Sequence, residues 1–80
     1  MNTQIIDEKV YVILASNLPI SVSWRGKNYK IIKVGLHHHF YEGKTLIHIF
    51  SVLSETLFFK LKFDTKSLEW RLLEIYDDKF

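Results

Sequence analysis

The residues best suited to chemistry are four histidines. His37, His38 and His39 are consecutive, and His48 follows in the next apolar segment. Imidazole is a ligand for zinc, copper and nickel. In an extended segment His37 and His39 share one face, because side chains alternate with a period of two. His48 approaches them if the following segment folds back as a hairpin. A metal centre also needs a further fixed ligand and supporting hydrogen bonds, and Glu42 is the one local carboxylate. The preferred reading places the histidines in an exposed connection. His37, His39 and His48 stand as an alternative metal set, and no metal or cofactor is expected.

Other catalytic combinations are poorer. Ser51 and Ser54 are available as nucleophiles, but His48 and Ser51, three apart on a strand, face opposite sides. The acids Asp64, Glu69, Glu74, Asp77 and Asp78 fall in turns, outward positions or the tail rather than converging as a pair. Gly26, Gly35 and Gly43 are too far apart for a phosphate-binding loop. The chain has no cysteine, which removes disulfides, thiolate metal sites and a cysteine nucleophile. No enzyme is expected.

Charge offers a different route to function. The net charge is +2, but residues 25–66 carry eight Lys and Arg against Glu42, Glu55 and Asp64. The two flanking regions are slightly acidic. Small barrels bind single-stranded nucleic acid by pairing a basic groove with an exposed aromatic ring, each stacked base being worth about 1–3 kcal/mol. Arg25, Lys27, Lys30, Lys60 and Lys62 are the candidate phosphate contacts, and Phe58, between Thr56 and Lys60, is the candidate stacking platform. The alternative function is protein interaction or homodimerisation through an outward apolar patch of Ile47, Ile49, Phe58 and Leu73.

The elements that position these residues read as strands. Eighty residues, 48% hydrophobic and 15% aromatic, make one small domain. Residues 8–16 (EKVYVILAS) favour a strand by their β-branched and aromatic content, with a short helix over residues 3–14 as the alternative. Pro19 breaks the run. Ile20, Val22 and Trp24 then alternate with polar residues. Arg25-Gly26-Lys27-Asn28 reads as a turn and Tyr29 opens the next strand. Tyr29, Ile31 and Val34 follow an i, i+2, i+5 spacing, and so do Trp70, Leu72 and Ile75. Strict alternation would bury Lys33, so a β-bulge is expected near Ile32-Lys33. Bulged strands bend, and bent strands coil small sheets shut.

Residues 37–44 read as a connection, and Thr45 to Leu53 as a strand whose inward face is open to either choice. Leu57, Phe59, Leu61 and Phe63 give the clearest alternation in the chain. Ser54-Glu55 and residues 64–67 are turns. Leu68 to Tyr76 closes the meander, and Asp77 to Phe80 forms a tail. The expected fold is all-β: an antiparallel meander of five to six strands coiled into a partly open, SH3-like barrel. Trp24 and Trp70 belong to its core, and side chains are expected to fill it without a cavity.

One layout is more specific. Trp24-Arg25-Gly26-Lys27-Asn28-Tyr29-Lys30-Ile31 comes early, and Trp70-Arg71-Leu72-Leu73-Glu74-Ile75-Tyr76-Asp77 ends the sheet. This resembles an uncharacterised bacterial family of small β domains, a domain-of-unknown-function family. Its members carry Trp-x-Gly-x-x-Tyr-x-Val and finish with Trp-x-Leu-x-x-Val-Tyr-Asp. Some of them are appended to Y-family DNA polymerase-like proteins, so the resemblance implies a DNA-maintenance context and no catalytic residues. The histidine run and the smaller number of arginines depart from that pattern.

The absence of cysteine favours a reducing, cytoplasmic location. The N-terminal residues lack a basic, apolar leader pattern, and no run is long enough to span a bilayer. The expected partners are nucleic acid or another protein, with a homodimer among the options and no membrane.

Overall fold

The computed structural model describes residues 2–77. Six strands follow one another: β1 (Asn2–Ala15), β2 (Leu18–Trp24), β3 (Lys27–Glu42), β4 (Thr45–Ser54), β5 (Phe58–Asp64) and β6 (Glu69–Asp77). Each pairs antiparallel with its sequence neighbour, and β1 returns to pair with β6, so the sheet closes into a ring. The all-β meander expected from the alternation is therefore present. Residues 3–14 are strand, not helix. Of the expected tail, residues 78–80 lie outside the described residues.

The ring is uneven because two strands change partners along their length. Residues 2–10 of β1 pair with β6, and Tyr11–Ala15 pair with β2. Likewise Lys27–Lys30 of β3 pair with β2, and Ile31–Glu42 pair with β4. Bulges make these turns possible. The β3–β4 register shifts between Ile31 and Lys33, where the i, i+2, i+5 spacing places it, and again between Val34 and Leu36. Leu73 is the extra residue in β6, opposite the shift between Lys60 and Leu61. In β2, Ile20 is skipped where Leu14 meets Pro19. Pro19 is consequently buried and Ile20 exposed, the reverse of what alternation from Val22 predicts.

Tight turns link the first strands. Ser16-Asn17 and Arg25-Gly26 are two-residue connections with positive φ at both positions, the mirror-image geometry that suits twisted hairpins. The expected turn at residues 25–28 is thus shorter, and Lys27 and Asn28 belong to β3.

The core runs along the inside of the ring: Val10, Val22, Trp24, Ile31, Phe50, Val52, Phe59, Leu61, Trp70, Leu72 and Ile75. Both tryptophans are buried, as their spacing indicates. At one end Phe59 meets Tyr29 edge-on at 5.0 Å and Trp24 at 6.4 Å. Trp24 Nε1–H donates to Glu8 Oε1 at 2.9 Å. Beneath them Ser54, the buried polar residue, donates its hydroxyl to the Leu57 carbonyl and accepts from the Leu57 N–H, each at 3.0 Å.

The expected connection at residues 37–44 is a correction. Only Gly43-Lys44 forms the turn, and Leu36–Glu42 continue β3 in unbroken register with β4. Histidine polarity imitates a loop. Yet the segment holds no Gly or Pro before Gly43, and its partners across the ladder, Leu46 to Phe50, are mostly apolar. The resulting β3–β4 arm helps make the molecule elongated, at 41 × 24 × 23 Å.

Candidate functional site

The inner face of the arm carries His37, His39 and His48 to the end of the barrel. His37 lies opposite Phe50 and His39 opposite His48 in the β3–β4 ladder. His48 is opposite Phe63, which is opposite Trp70. The face of β4 that carries Leu46, His48, Phe50 and Val52 is therefore the inward one. His37 Nε2 sits 2.8 Å from His48 Nδ1. The His37 ring lies flat on Phe50, with centroids 4.0 Å apart and planes at 10°. Phe63 and Trp70 meet at 4.7 Å, and Phe50 and Trp70 at 5.5 Å.

These rings do not fill the space they enclose. A cavity of about 340 Å³ opens there, with Leu14 and Asn17 of the β1–β2 hairpin on one side and His37, His48, Phe50, Phe63 and Trp70 on the other. This corrects the expectation of a filled barrel. The cause is the divergence of β2 from β3. Their pairing ends at Ser21 and Lys30, and no residue of β2 lines the cavity. An apolar cavity with a few convergent polar groups is the form that ligand sites take. The alternation in residues 57–63 marked Phe63 as inward, but the part played by Leu14 and Asn17 depends on the turn at Ser16-Asn17 and had no sequence signal.

The alternative metal set is brought onto one face: His37 bonds to His48, and the His39 and His48 rings are 5.7 Å apart. Among the described residues, however, no three His, Cys, Asp or Glu side chains are placed to hold a metal ion. Glu42 faces the opposite side of the arm and pairs with Lys62 at 3.7 Å. Desolvation holds His37 below the ordinary imidazole range, and the neighbouring His48, His39 and His38 act in the same direction. Ser54 is occupied with Leu57, and Ser51 faces away from His48.

The predicted nucleic-acid residues are dispersed over the outside. Arg25 forks onto Glu8, with Nε 3.1 Å from Oε1, and its guanidinium lies over Trp24 at 4.7 Å. That contact, followed by the Trp24 hydrogen bond, lowers the Glu8 carboxyl below its usual range. Lys60 pairs with Glu74 at 3.5 Å. Lys27 lies over the Tyr29 ring at 5.2 Å, and Lys30 is exposed. Phe58 is 37% exposed and meets Tyr76 edge-on at 5.6 Å. It shares grooves with Lys60 on one side and with Lys33 and Leu36 on the other.

The expected apolar patch is also corrected. Ile47 and Ile49 do point outward, yet they are 0% and 4% exposed. Ile47 is flanked by Phe40 and Asp64, and Ile49 by His38 and Lys62. Long side chains lay their apolar stems over such neighbours. Leu73 is half-buried. Phe58 alone of the four is exposed, and most other exposed large apolar residues lie elsewhere, among them Ile13, Leu14, Leu18 and Ile20 on the first hairpin and Ile32, Leu36, Phe40 and Tyr41 on β3.

No family model matches the chain, and neither does any curated protein or solved structure. Among the described residues no helix is long and apolar enough to cross a membrane.

Proposed function

We propose that this protein is a non-enzymatic interaction module that adds a strand to the free edge of β3, and that the strand added is β3 of a second copy. One observation carries the reading. From Ile31 to Glu42, β3 is paired only with β4 among the described residues. A free edge presents a row of backbone donors and acceptors that templates another strand, and folded proteins usually protect such edges with charge. Here residues 34–41 (VGLHHHFY) contain no Lys, Arg, Asp or Glu. Leu36, Phe40 and Tyr41 stand exposed along them.

The edge is also self-complementary. Its regular stretch runs from Leu36 to Glu42, with His39 at the middle. An antiparallel pair about a two-fold axis at His39 sets His38 against Phe40, and His37 against Tyr41, of the partner copy. Cross-strand aromatic pairs of this kind contribute roughly 0.2–1 kcal/mol each. Sedimentation velocity over a wide concentration range is the test. Wild type is expected to dimerise, and Phe40→Lys to weaken the dimer by at least about tenfold, because it sets like charges beside the axis. A strict monomer at millimolar concentration rules the reading out.

A second reading has its own observation. Phe58 is exposed between Lys33 and Lys60, the combination that stacks and neutralises single-stranded nucleic acid. Three of the five predicted phosphate contacts, Arg25, Lys60 and Lys62, already hold carboxylates, which makes this the weaker of the two. Fluorescence anisotropy with labelled single strands should show binding that weakens steeply with salt. Flat titrations at low salt exclude it.

A further inference from the structure

Where β2 pairs with β3, it places an apolar side chain beside an inward residue of β3. Val22 lies opposite Tyr29 and is fully buried. At the cavity the inward residue of β3 is His37. It has Phe50 of β4 on one side and, among the described residues, no strand on the other. A strand added to that edge would run about 4.8 Å away. It would set a side chain beside His37 where β2 sets none.

The two-fold pairing about His39 specifies that side chain. The residue opposite His37 is then the partner's Tyr41. Opposite residues of an antiparallel ladder lie on one face of the sheet, so the partner's Tyr41 stands on the inward face with His37, at the cavity. Within its own copy Tyr41 lies opposite Leu46 on that same face, yet it is 69% exposed. Size and chemistry both fit. An apolar space of roughly 150 Å³ already holds a benzene ring, and this one is about 340 Å³. Leu14, Phe50, Phe63 and Trp70 give it walls for a ring, and Asn17, His37 and His48 are its polar groups. A phenol hydroxyl both donates and accepts, so it can bond to any one of the three.

We propose that the cavity is the receptor for Tyr41 of a second copy, so that two copies exchange tyrosines across the axis and close each other's open ends. The inference rests on the strand-addition reading and adds to it the occupant of the cavity. A two-fold interface is reciprocal, so one association step fills both cavities and covers both exposed rings. In strand addition the backbone bonds supply affinity, and pockets for alternate side chains supply specificity. The tyrosine in its cavity is what selects another copy of this chain over an unrelated strand.

Isotope-filtered NMR on a mixture of labelled and unlabelled copies, with sedimentation velocity of three variants, tests it. The Tyr41 ring protons of a labelled copy should show contacts to Phe63 and Trp70 of an unlabelled one. Tyr41→Ala should weaken the dimer at least about tenfold, while Tyr41→Phe, which keeps the ring, should stay within about threefold of wild type. Leu14→Trp separates the cavity from the edge. Leu14 lines the cavity from the β1–β2 hairpin and is 44% exposed, so a larger ring there occupies the space without altering β3. It should weaken the dimer about tenfold. A dimer that lacks the Tyr41 contacts, or that is indifferent to Leu14→Trp, overturns the exchange of tyrosines and leaves the edge pairing standing. A strict monomer at millimolar concentration overturns both.

Discussion

The two ends of the barrel are built from the same strands and finish differently. At the end where β2 still pairs with β3, Trp24, Tyr29 and Phe59 pack against one another, with Phe59 edge-on to both other rings. At the end where β2 has turned away, His37, Phe50, Phe63 and Trp70 stack around a cavity. Aromatic content is alike at both. What separates them is whether β2 still lies beside β3, so strand pairing, not hydrophobicity, marks the difference between the two ends.

The largest difference should appear in stability. Phe59→Ala empties a fully buried site, and about 3–5 kcal/mol of unfolding free energy should be lost. Phe63→Ala truncates a half-buried ring beside an existing cavity, so a loss of about 2 kcal/mol or less is expected. Urea denaturation of the two variants measures both values, and equal losses would erase the distinction between the ends.

The next contrast is polar. Ser54→Ala removes both bonds to Leu57 at the packed end and should cost about 1–2 kcal/mol. Ser51→Ala, on the outer face of the same strand, should fall within about 0.5 kcal/mol of wild type. A large effect at Ser51 would mean that the outer face of β4 has a structural role of its own.

The smallest expected effects follow pH. His37 has a folded-state value below its unfolded one, so the unfolded chain binds the proton more readily. Stability should therefore fall as pH drops from the ordinary imidazole value toward the lowered one. Thermal melts of wild type and His37→Phe between about pH 8 and 5 should diverge on the acid side. Asp64 behaves similarly at lower pH. The Ser67 and Lys66 backbone N–H groups hold its carboxyl below the usual range. The stabilisation is present above the ordinary carboxylate value and disappears as pH falls through the lowered one. Asp64→Asn should flatten that acid limb, and an unchanged limb would remove Asp64 from the account.

Much of the packed end was legible. Period-two alternation located Val22, Trp24, Phe59 and Leu61, and the spacing of Tyr29-Ile31-Val34 and Trp70-Leu72-Ile75 located two bulges. Those signals are local. The open end was not legible, for reasons that are not local. Histidine reads as polar along the chain yet stacks as an aromatic ring against Phe50. The burial of Ile47 and Ile49 depends on side chains from strands either side of β4, and the cavity depends on where β2 and β3 part company.

Gly35 sets the phase of the arm. It is the extra residue at the second register shift of β3, and everything from Leu36 to Glu42 takes its inside or outside orientation from that one added position. Shortening the strand there by a residue would turn the arm over: His38 and Phe40 would look inward, and His37 and His39 would face the solvent. A single codon thus decides which of two chemically different surfaces this protein shows to the interior of its barrel.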